Sequence, residues 1–291
     1  MIVQFTINVL IGGAIYTLLA LGFGLIYSTA RFFHIAYGAV YTTAAYALYL
    51  AYAVVGLPLW LAVILAVTIA TALGAAMELL FYRFLRRQST SPLIPLLASF
   101  GMYIVIQNVI SLAMGDETRS VRTGPVVEGI SIWGARVTVG QIVIVCAAVV
   151  LTAGCAAFLR YSRLGRELRA VANCQELARI VGVDVDRVYL VVFSLGSALG
   201  AAAAILVVFE TDMSPVMGFK AVMLAAVAVI IGGAGSIPGA AIGGIVVALL
   251  QNVAIWTIGS QWQEIFVFGV LVLFLLVRPQ GLFGRPRAEE I

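Results

Sequence analysis

Few side chains in this sequence could do chemistry, and their types and spacing do not suit catalysis. His34 is the one histidine, so the chain cannot place two histidines on a metal ion. Lys220 is the one lysine, and Ala221 follows it, which excludes the GxxxxGK[ST] loop that binds phosphates in P-loop ATPases. The pattern shows no clustered acid, base and nucleophile. We therefore predict that the chain is not an enzyme and holds no metal of its own.

Charged residues are concentrated in one stretch. Residues 160–187 carry ten of the thirty charged side chains, although the flanking segments are strongly apolar. One helical stripe of this stretch is polar, with spacings of three, four and three: Arg166, Arg169, Asn173 and Glu176. Another face is apolar: Leu168, Val171, Ala172 and Ala178. The pattern predicts a short amphipathic helix over 164–181.

This helix is expected to lie outside the bilayer, within a cytoplasmic loop at 160–187, and to dock into a groove on a soluble partner. Gly182 suits its C-terminal cap, and Asp184 or Asp186 suits the cap of the following helix. An ordinary cytoplasmic loop would explain the arginines alone. It would not explain a link of about 27 residues with helical order, because a turn between two spans needs only a handful.

Two apolar regions are interrupted by residues that break helices: GLIYSTARFFHIAYGAVY at 24–41 and VIIGGAGSIPGAAIGGIV at 229–246. A helix loses about 1 kcal/mol per glycine and about 3 kcal/mol per interior proline, so we predict a break or re-entrant turn near 235–239. Paired interrupted segments can mark a transport path, since freed backbone groups in a bilayer need protein or water beside them. The candidate path residues are His34, Tyr37, Gly38, Gly233, Gly235, Ser236, Pro238 and Gly239.

Two less specific interpretations of these residues stay open. Glycines in membrane helices often serve close helix packing, without lining any path. A single histidine near a helix end, such as His34, is commonly a hydrogen-bonded residue of the membrane interface and no ligand.

The composition predicts which kind of secondary structure positions these residues. The chain is 63% hydrophobic and 10% charged, with a mean hydropathy of +1.11, whereas about 25% of residues are charged in soluble proteins. We predict one all-α transmembrane domain, residues 1–291, with about eight or nine transmembrane or re-entrant helices of about 20 residues. The expected ranges are 5–28, 36–55, 58–82, 92–114, 138–160, 188–210, 219–232, 238–257 and 262–277.

The arginines predict which helix ends are cytoplasmic, because basic residues concentrate in cytoplasmic links. Nine segments bring three groups to one side: Arg83, Arg86 and Arg87; the six arginines of 160–187; and Arg278, Arg285 and Arg287. The other side holds the predicted ordered loop 115–137 and these charges: Asp116, Glu117, Glu128, Glu210, Asp212, Arg119, Arg122 and Arg136. The N-terminus is then outside and the C-terminus cytoplasmic, provided that 219–257 crosses twice. Orientation explains the net charge of +4, so we expect no nucleic-acid partner.

The segment 176–182, ELARIVG, resembles the Glu-Ala-Ala and glycine motif through which permeases of ABC importers contact their ATPases, with Leu177 at its second position. Further segments resemble LivH-type permeases of branched-chain amino acid importers: SRLGRELRAVANCQELARIVGVDVDRVYLVVFSLGSALGAAAAIL, MELLFYRFLRR, ASFGMYIVIQN, IGGAGSIPGAAIGG and RPQGLFG. The order of these separate motifs makes the resemblance specific. It covers about residues 8–284.

The resemblance implies a multi-pass subunit of an ABC importer in the bacterial cytoplasmic (inner) membrane, surrounded by membrane lipid. Its implied partners are a second, LivM-like permease, two ATP-binding subunits and an external substrate-binding protein. ATP and magnesium would be bound by those ATP-binding subunits, and the 166–182 helix would transmit their closure. We expect Glu176, Ala178 and Gly182 to carry the force, with Arg166 and Arg169 serving orientation and docking.

The sequence departs from the family at two places. LivH-type sequences usually have Asn-Phe-Ala-His-Gly at 34–38, where this chain reads HIAYG, and Tyr-Arg-Pro-Leu-Arg at 82–86, where it reads YRFLR. The first departure lies beside the candidate path, so urea, amides, aromatic acids or sugars stay open as substrates of the same fold. A self-contained secondary carrier or channel is the alternative of another class, although few ionisable residues lie deep in the predicted helices.

Overall fold

The computed structural model describes residues 2–88, 91–121, 130–132, 135–233 and 235–283. The helices of this part are α1 (Ile2–Ala30), α2 (Tyr37–Tyr49), α3 (Leu59–Met77), α4 (Arg83–Gln88), α5 (Leu93–Met114), α6 (Val139–Tyr161), α7 (Arg163–Asn173), α8 (Gln175–Ile180), α9 (Val185–Glu210), α10 (Met217–Gly232), α11 (Ile237–Thr257) and α12 (Gln263–Val277). A π-helical segment, Leu50–Val54, extends α2, and another, Glu78–Tyr82, joins α3 to α4. Strands β1 (Ile130–Ile132) and β2 (Ala135–Val137) pair antiparallel within the 115–137 link.

Seven helical stretches of the described residues are long and apolar enough to cross a membrane: Ile2–Ala30, Leu59–Gln88, Leu93–Met114, Val139–Tyr161, Val185–Glu210, Pro238–Thr257 and Ser260–Val277. The helix α10 is apolar but shorter. The predicted all-α, polytopic membrane class is therefore confirmed, with the β1–β2 pair as a small addition. Four arginines or acids used above to predict sidedness lie outside the described residues: Arg122, Glu128, Arg285 and Arg287.

One helix is longer than its predicted range of 58–82. The chain stays helical to Gln88, because the π-helical segment carries the turn of α3 directly into α4. Phe84 stands where the resembling family has a proline, and a phenylalanine keeps the backbone N–H that a helix interior requires. The helices α3 and α4 and the π-helical segment between them thus form one continuous helix, which we call the α3–α4 rod. The arginines of 83–87 project from this helix and not from a loop.

Contacts between distant segments define two ends of the bundle. At the first, which we call the basic end, arginines of α4 contact Asp186 in α9, and Arg31 Nη2 donates to the carbonyl of Ala172 in α7 at 2.6 Å. At the opposite end, Gln4 of α1 accepts a hydrogen bond from the backbone of Arg136 in β2 at 2.9 Å. The arginine groups of 83–87 and 160–187 therefore lie at the same end, as the sequence predicts.

The helix α1 forms the centre of the bundle and packs against α9, α10 and α11. Small residues permit the closest of the contacts: Gly22 lies against Gly196 of α9, and Gly38 of α2 lies against Gly218 of α10. The outer helices α5, α6 and α12 bury few side chains: Ser99 and Tyr103 of α5, Ile144, Ala148 and Leu159 of α6, and Val267 and Leu271 of α12. Their apolar faces are thus available to lipid or to another membrane subunit.

Alanine at Gly218 is expected to lower the melting temperature, because its methyl group would overlap the Gly38 carbonyl and the Thr42 hydroxyl. Overpacking of this kind reduces the free energy of unfolding by about 1–3 kcal/mol. Alanine at Gly101 of α5 is the matched control, since nothing lies within 4 Å of the added methyl group. Thermal melting of both variants in detergent tests this, and equal midpoints would contradict the close approach of α2 and α10.

Candidate functional site

The charged stretch at the basic end folds into two helices, α7 and α8, separated by Cys174. Its backbone is extended, with φ −148° and ψ 110°, so it ends α7 and begins α8. The prediction of a single helix over 164–181 is therefore wrong. Asparagine and cysteine are both weak helix formers, and the Cys174 N–H and C=O satisfy the ends of the two helices by bonding Ala170 O and Ala178 N.

The break also divides the predicted polar stripe. Arg166, Arg169 and Asn173 lie on α7, whereas Glu176 lies in the first turn of α8, so the four side chains do not share one helix face. All four are exposed nevertheless. Arg166 Nη1 donates to the Tyr161 carbonyl at 3.4 Å, and Arg169 Nη1 donates to the Leu159 carbonyl. Both arginines hold α7 against the end of α6, and their docking role stays a prediction.

The faces of α7 and α8 differ sharply in exposure. Leu168, Val171 and Ala178 are buried against the bundle, as the apolar stripe predicts, and Ala172 is half-buried. On the other side of α8, Leu177 is 63% exposed and Ile180 is 80% exposed. Apolar side chains this exposed on a polar loop are typical of a surface that a protein partner covers. Reasoning from the sequence missed this surface because it assigned the residues to one continuous helix.

Gly182 and Asp184 end one helix and begin the next. Gly182 has φ +84°, and the N–H groups of Gly182 and Val183 bond the carbonyls of Arg179 and Ala178, which caps α8. The Asp184 carboxylate accepts the Arg187 N–H at 3.1 Å and so caps α9. Gly182 is exposed, with nothing near its Cα that an added side chain would meet. The predicted caps are confirmed, with Asp184 rather than Asp186 at the start of α9.

Asp186 instead binds three arginines of the α4 segment. Its carboxylate accepts Arg83 Nε at 3.0 Å, Arg86 Nη2 at 2.9 Å and Arg87 Nη2 at 3.1 Å. Arg86 also lies 2.8 Å from Glu78 Oε1, although that contact lacks the alignment of a hydrogen bond. Charge-assisted bonds of this length are the strong class, so Asp186 ties α4 to the first turn of α9.

Two further contacts join α4 to α9 and α9 to α1. Arg86 lies over the Tyr189 ring, with its guanidinium carbon 3.8 Å from the ring centre, and Tyr189 Oη donates to the Thr29 carbonyl of α1 at 3.0 Å. Beside the cluster, a cavity of about 510 Å³ is lined by arginines and acids of both segments: Arg86, Arg87, Arg179, Asp184 and Asp186. At the basic end α9 is thus joined to α1 and to the α3–α4 rod, and α8 packs against α7 and α9.

The candidate path residues of the first broken region are deeply buried. His34 Nδ1 lies 3.0 Å from Tyr82 Oη and 3.3 Å from Ser99 Oγ, while its Nε2 has no hydrogen-bond partner among the described residues. Tyr37 Oη donates to the Leu19 carbonyl of α1 at 3.1 Å. His34 is therefore a core residue at the joint of α1, α2 and α5, and no interfacial one.

The candidate residues of the second region form the turn between α10 and α11. The helix α10 ends at Gly232 and α11 begins at Ile237, so the break lies slightly before the predicted 235–239; φ is +104° at Gly233 and +91° at Gly235. Ser236 accepts the Gly239 N–H at 3.1 Å, and Pro238 lies in the first turn of α11. The segment 281–283 covers this turn, where Leu282 and Phe283 donate to the last carbonyls of α10.

Other polar groups lie between the helices at places that sequence reasoning did not select. Gln251 of α11 is buried, and its Nε2 has no hydrogen-bond partner among the described residues. Tyr16 of α1 lies beside Gln251 and within electrostatic range of Glu264. Their types gave no signal, because single glutamines and tyrosines in apolar helices are common. Among the described residues there is no group of three or more His, Cys, Asp or Glu side chains that could hold a metal ion.

Known proteins are similar to this chain over almost its whole length. The profile of the family described as branched-chain amino acid transport system / permease component matches residues 5–275. The high-affinity branched-chain amino acid transport system permease protein LivH of Escherichia coli (strain K12) is 34% identical, over 96% of this chain and 94% of that protein. The corresponding permease protein BraD of Pseudomonas aeruginosa is 33% identical, over 99% of this chain and 97% of that protein.

A solved structure shares the fold. The structure described as PsaBC from Streptococcus pneumoniae in complex with Fab aligns with a TM-score of 0.51, over 96% of this chain and 94% of that one. Its sequence identity of 11% is low, so this likeness supports the arrangement of the helices alone.

Proposed function

Because this chain belongs to the family of permease components of branched-chain amino acid transport systems, we propose that it is the membrane-spanning subunit of an ATP-driven importer for branched-chain or related amino acids. The transporter also contains a second, LivM-like permease, two ATP-binding subunits and an external binding protein. The complex lies in the bacterial cytoplasmic membrane, with the basic end of this chain in the cytoplasm and its N-terminus outside. The full-length family match carries this proposal.

The exposed face of α8 is the contact for an ATP-binding subunit. Leu177 and Ile180 offer apolar area, and Glu176 and Arg179 surround them with charge, which is the composition of a protein interface. Movement of α8 reaches the spans through buried Ala178 and through Asp186, which holds the α3–α4 rod. This chain thereby couples ATP hydrolysis on its partners to movement of its own helices.

The substrate path runs between α1, α2, α10 and α11. Its inner wall is formed by the joint of His34, Tyr37 and Gly38, where α2 begins inside the bundle. The connection between α10 and α11 lies at the cytoplasmic mouth, where the segment 281–283 covers the end of α10. Weak contacts suit such a path, because tight binding would slow release.

Affinity purification of this chain from its native membrane is expected to recover ATP-binding subunits and a second permease. The recovered complex, reconstituted with its loaded binding protein, should take up L-leucine only with ATP. Arginine at both Leu177 and Ile180 should abolish recovery of the ATP-binding subunits, while arginine at Glu117, an exposed control position at the opposite end of the bundle, should not. Uptake by the purified chain alone, driven by an ion gradient and indifferent to ATP, would contradict the proposal in favour of a secondary carrier.

A further inference from the structure

The chain's one lysine forms an ion pair with a distant acid at the opposite end of the bundle. Lys220 Nζ of α10 lies 2.6 Å from Glu264 Oε1 of α12. The side chains are 44% and 48% exposed, so the pair is accessible and lies on the surface of the bundle rather than in its core. Trp262 stands just before α12, and Trp256 near the end of α11 contacts Phe5 of α1, so the pair lies at the end of the bundle where α10 and α12 begin.

The position of Lys220 is unfavourable for a residue that serves stability alone. It lies in the first turns of α10, where the partial positive charge of the helix N-terminus repels an ammonium group. Ionisable side chains within membrane segments are costly and are commonly retained for function. A carboxylate, in contrast, would be stabilised at this place both by the lysine and by the helix end.

Polar and apolar neighbours extend the site in two directions. Inward lie Tyr16 and the buried Gln251, whose Nε2 lacks a hydrogen-bond partner among the described residues. Exposed apolar residues lie four positions along the chain from each charge: Val216 before Lys220 and Phe268 after Glu264. The surroundings therefore combine one positive charge, one negative charge and an aliphatic or aromatic contact.

We propose that Lys220 and Glu264 form an outer subsite that receives a zwitterionic α-amino acid. Lys220 binds the α-carboxylate, Glu264 binds the α-ammonium group, and Val216 and Phe268 contact an apolar side chain. The inference rests on the proposed function and adds to it the place where the substrate first meets this chain and the residues that bind its two charges. Uncharged ligands such as urea or sugars would form no ion pair with either residue, and an aromatic acid would form one with the lysine alone.

A substrate that binds this subsite must first open the ion pair, which offsets part of the free energy of binding. Without a ligand, each charge neutralises the other at 2.6 Å, so neither is left unpaired at the membrane surface. An arriving zwitterion replaces that one contact with two and leaves the net charge unchanged. Binding is consequently weak and reversible, as a transport path requires, and the ion pair re-forms when the substrate moves inward.

Uptake measurements on the reconstituted importer test the role of the two charges. Lys220→Met and Glu264→Gln are each expected to lower uptake of L-leucine by at least about tenfold, while ATP hydrolysis stimulated by the loaded binding protein stays within about twofold of the parent. The exchanged variant, with Lys220→Glu and Glu264→Lys together, restores an ion pair between α10 and α12. We expect its uptake to stay low, because the substrate's charges then meet the wrong partners. Full recovery in the exchanged variant would overturn the proposal and leave the pair as a contact between helices.

Direct binding keeps this test separate from the proposed function. In the purified complex without binding protein, millimolar L-leucine should change the fluorescence of Trp262, measured as the difference from a Trp262→Phe complex. The amine 3-methylbutylamine and the acid 4-methylpentanoate, each lacking one charge of leucine, should bind at least about tenfold more weakly. Equal binding of the acid, with no effect of Glu264→Gln, would overturn the zwitterion assignment. If ATP-driven uptake were absent but this binding present, the proposed function would fail and the subsite would stand.

Discussion

Arginine at Glu176 and valine at Gly182 are each expected to lower ATP-driven uptake by about tenfold or more, while binding-protein affinity persists and the ATP-binding subunits still hydrolyse ATP. Glu176 is exposed in the first turn of α8, where its carboxylate matches the helix end and faces the proposed partner. Gly182 has φ +84°, a conformation that costs a β-branched residue about 1–2 kcal/mol or more. Either change therefore shifts α8 relative to the partner without touching the substrate path. Uptake and ATP hydrolysis measured on the same proteoliposomes report the ratio of the two.

Matched changes at the opposite end control for strain and charge. Gly115 ends α5 with φ +80° and, like Gly182, has nothing within 4 Å of an added side chain. Valine at Gly115 places a β-branched residue at a second positive-φ position, and arginine at the exposed Glu117 introduces the same charge reversal. Both controls should keep the parental ratio of uptake to ATP hydrolysis. Unchanged uptake in the Glu176 and Gly182 variants would refute the coupling role of α8.

Asparagine at Asp186 is expected to lower both the melting temperature and the uptake rate. The substitution keeps the shape of the side chain but removes the charge that binds Arg83, Arg86 and Arg87 at 2.9–3.1 Å. Hydrogen bonds to charged groups contribute about 1.5–3 kcal/mol each, and partial exposure of this cluster lowers that contribution. We expect a loss of about 2 kcal/mol in the free energy of unfolding and about tenfold in uptake, because the α3–α4 rod no longer follows α9.

Asparagine at Asp184 is the control for this prediction. It removes the same charge two residues away, yet asparagine caps a helix as well as aspartate does, so α9 keeps its first turn. Thermal melting and uptake of the Asp184 variant should match the parent closely. Equal losses in the two variants would show that net charge, and not the arginine contacts of Asp186, governs the basic end.

The membrane class, most helix ranges and the position of the charged stretch follow from the sequence because they depend on local properties. Runs of about 20 apolar residues define spans wherever they occur. The caps at Gly182 and Asp184 also follow, since φ above zero and side-chain capping depend on the residue and its immediate neighbours. The break at Cys174 did not follow, because a weak helix former within a periodic pattern interrupts a helix only if its surroundings favour the interruption.

Contacts between residues distant in the chain were decided by the tertiary structure alone. In the sequence Asp186 is only a second candidate for the helix cap. In the structure, α4 brings three arginines to its carboxylate. In the sequence Lys220 and Glu264 are isolated charges near the ends of predicted helices. The packing of α10 and α12 places Lys220 Nζ 2.6 Å from Glu264 Oε1. The sequence by itself determined that the chain is a permease built of membrane helices, with one charged segment outside them. Only the tertiary structure decides which charged residues form ion pairs, because an ion pair depends on distance in space and produces no periodic pattern in the sequence.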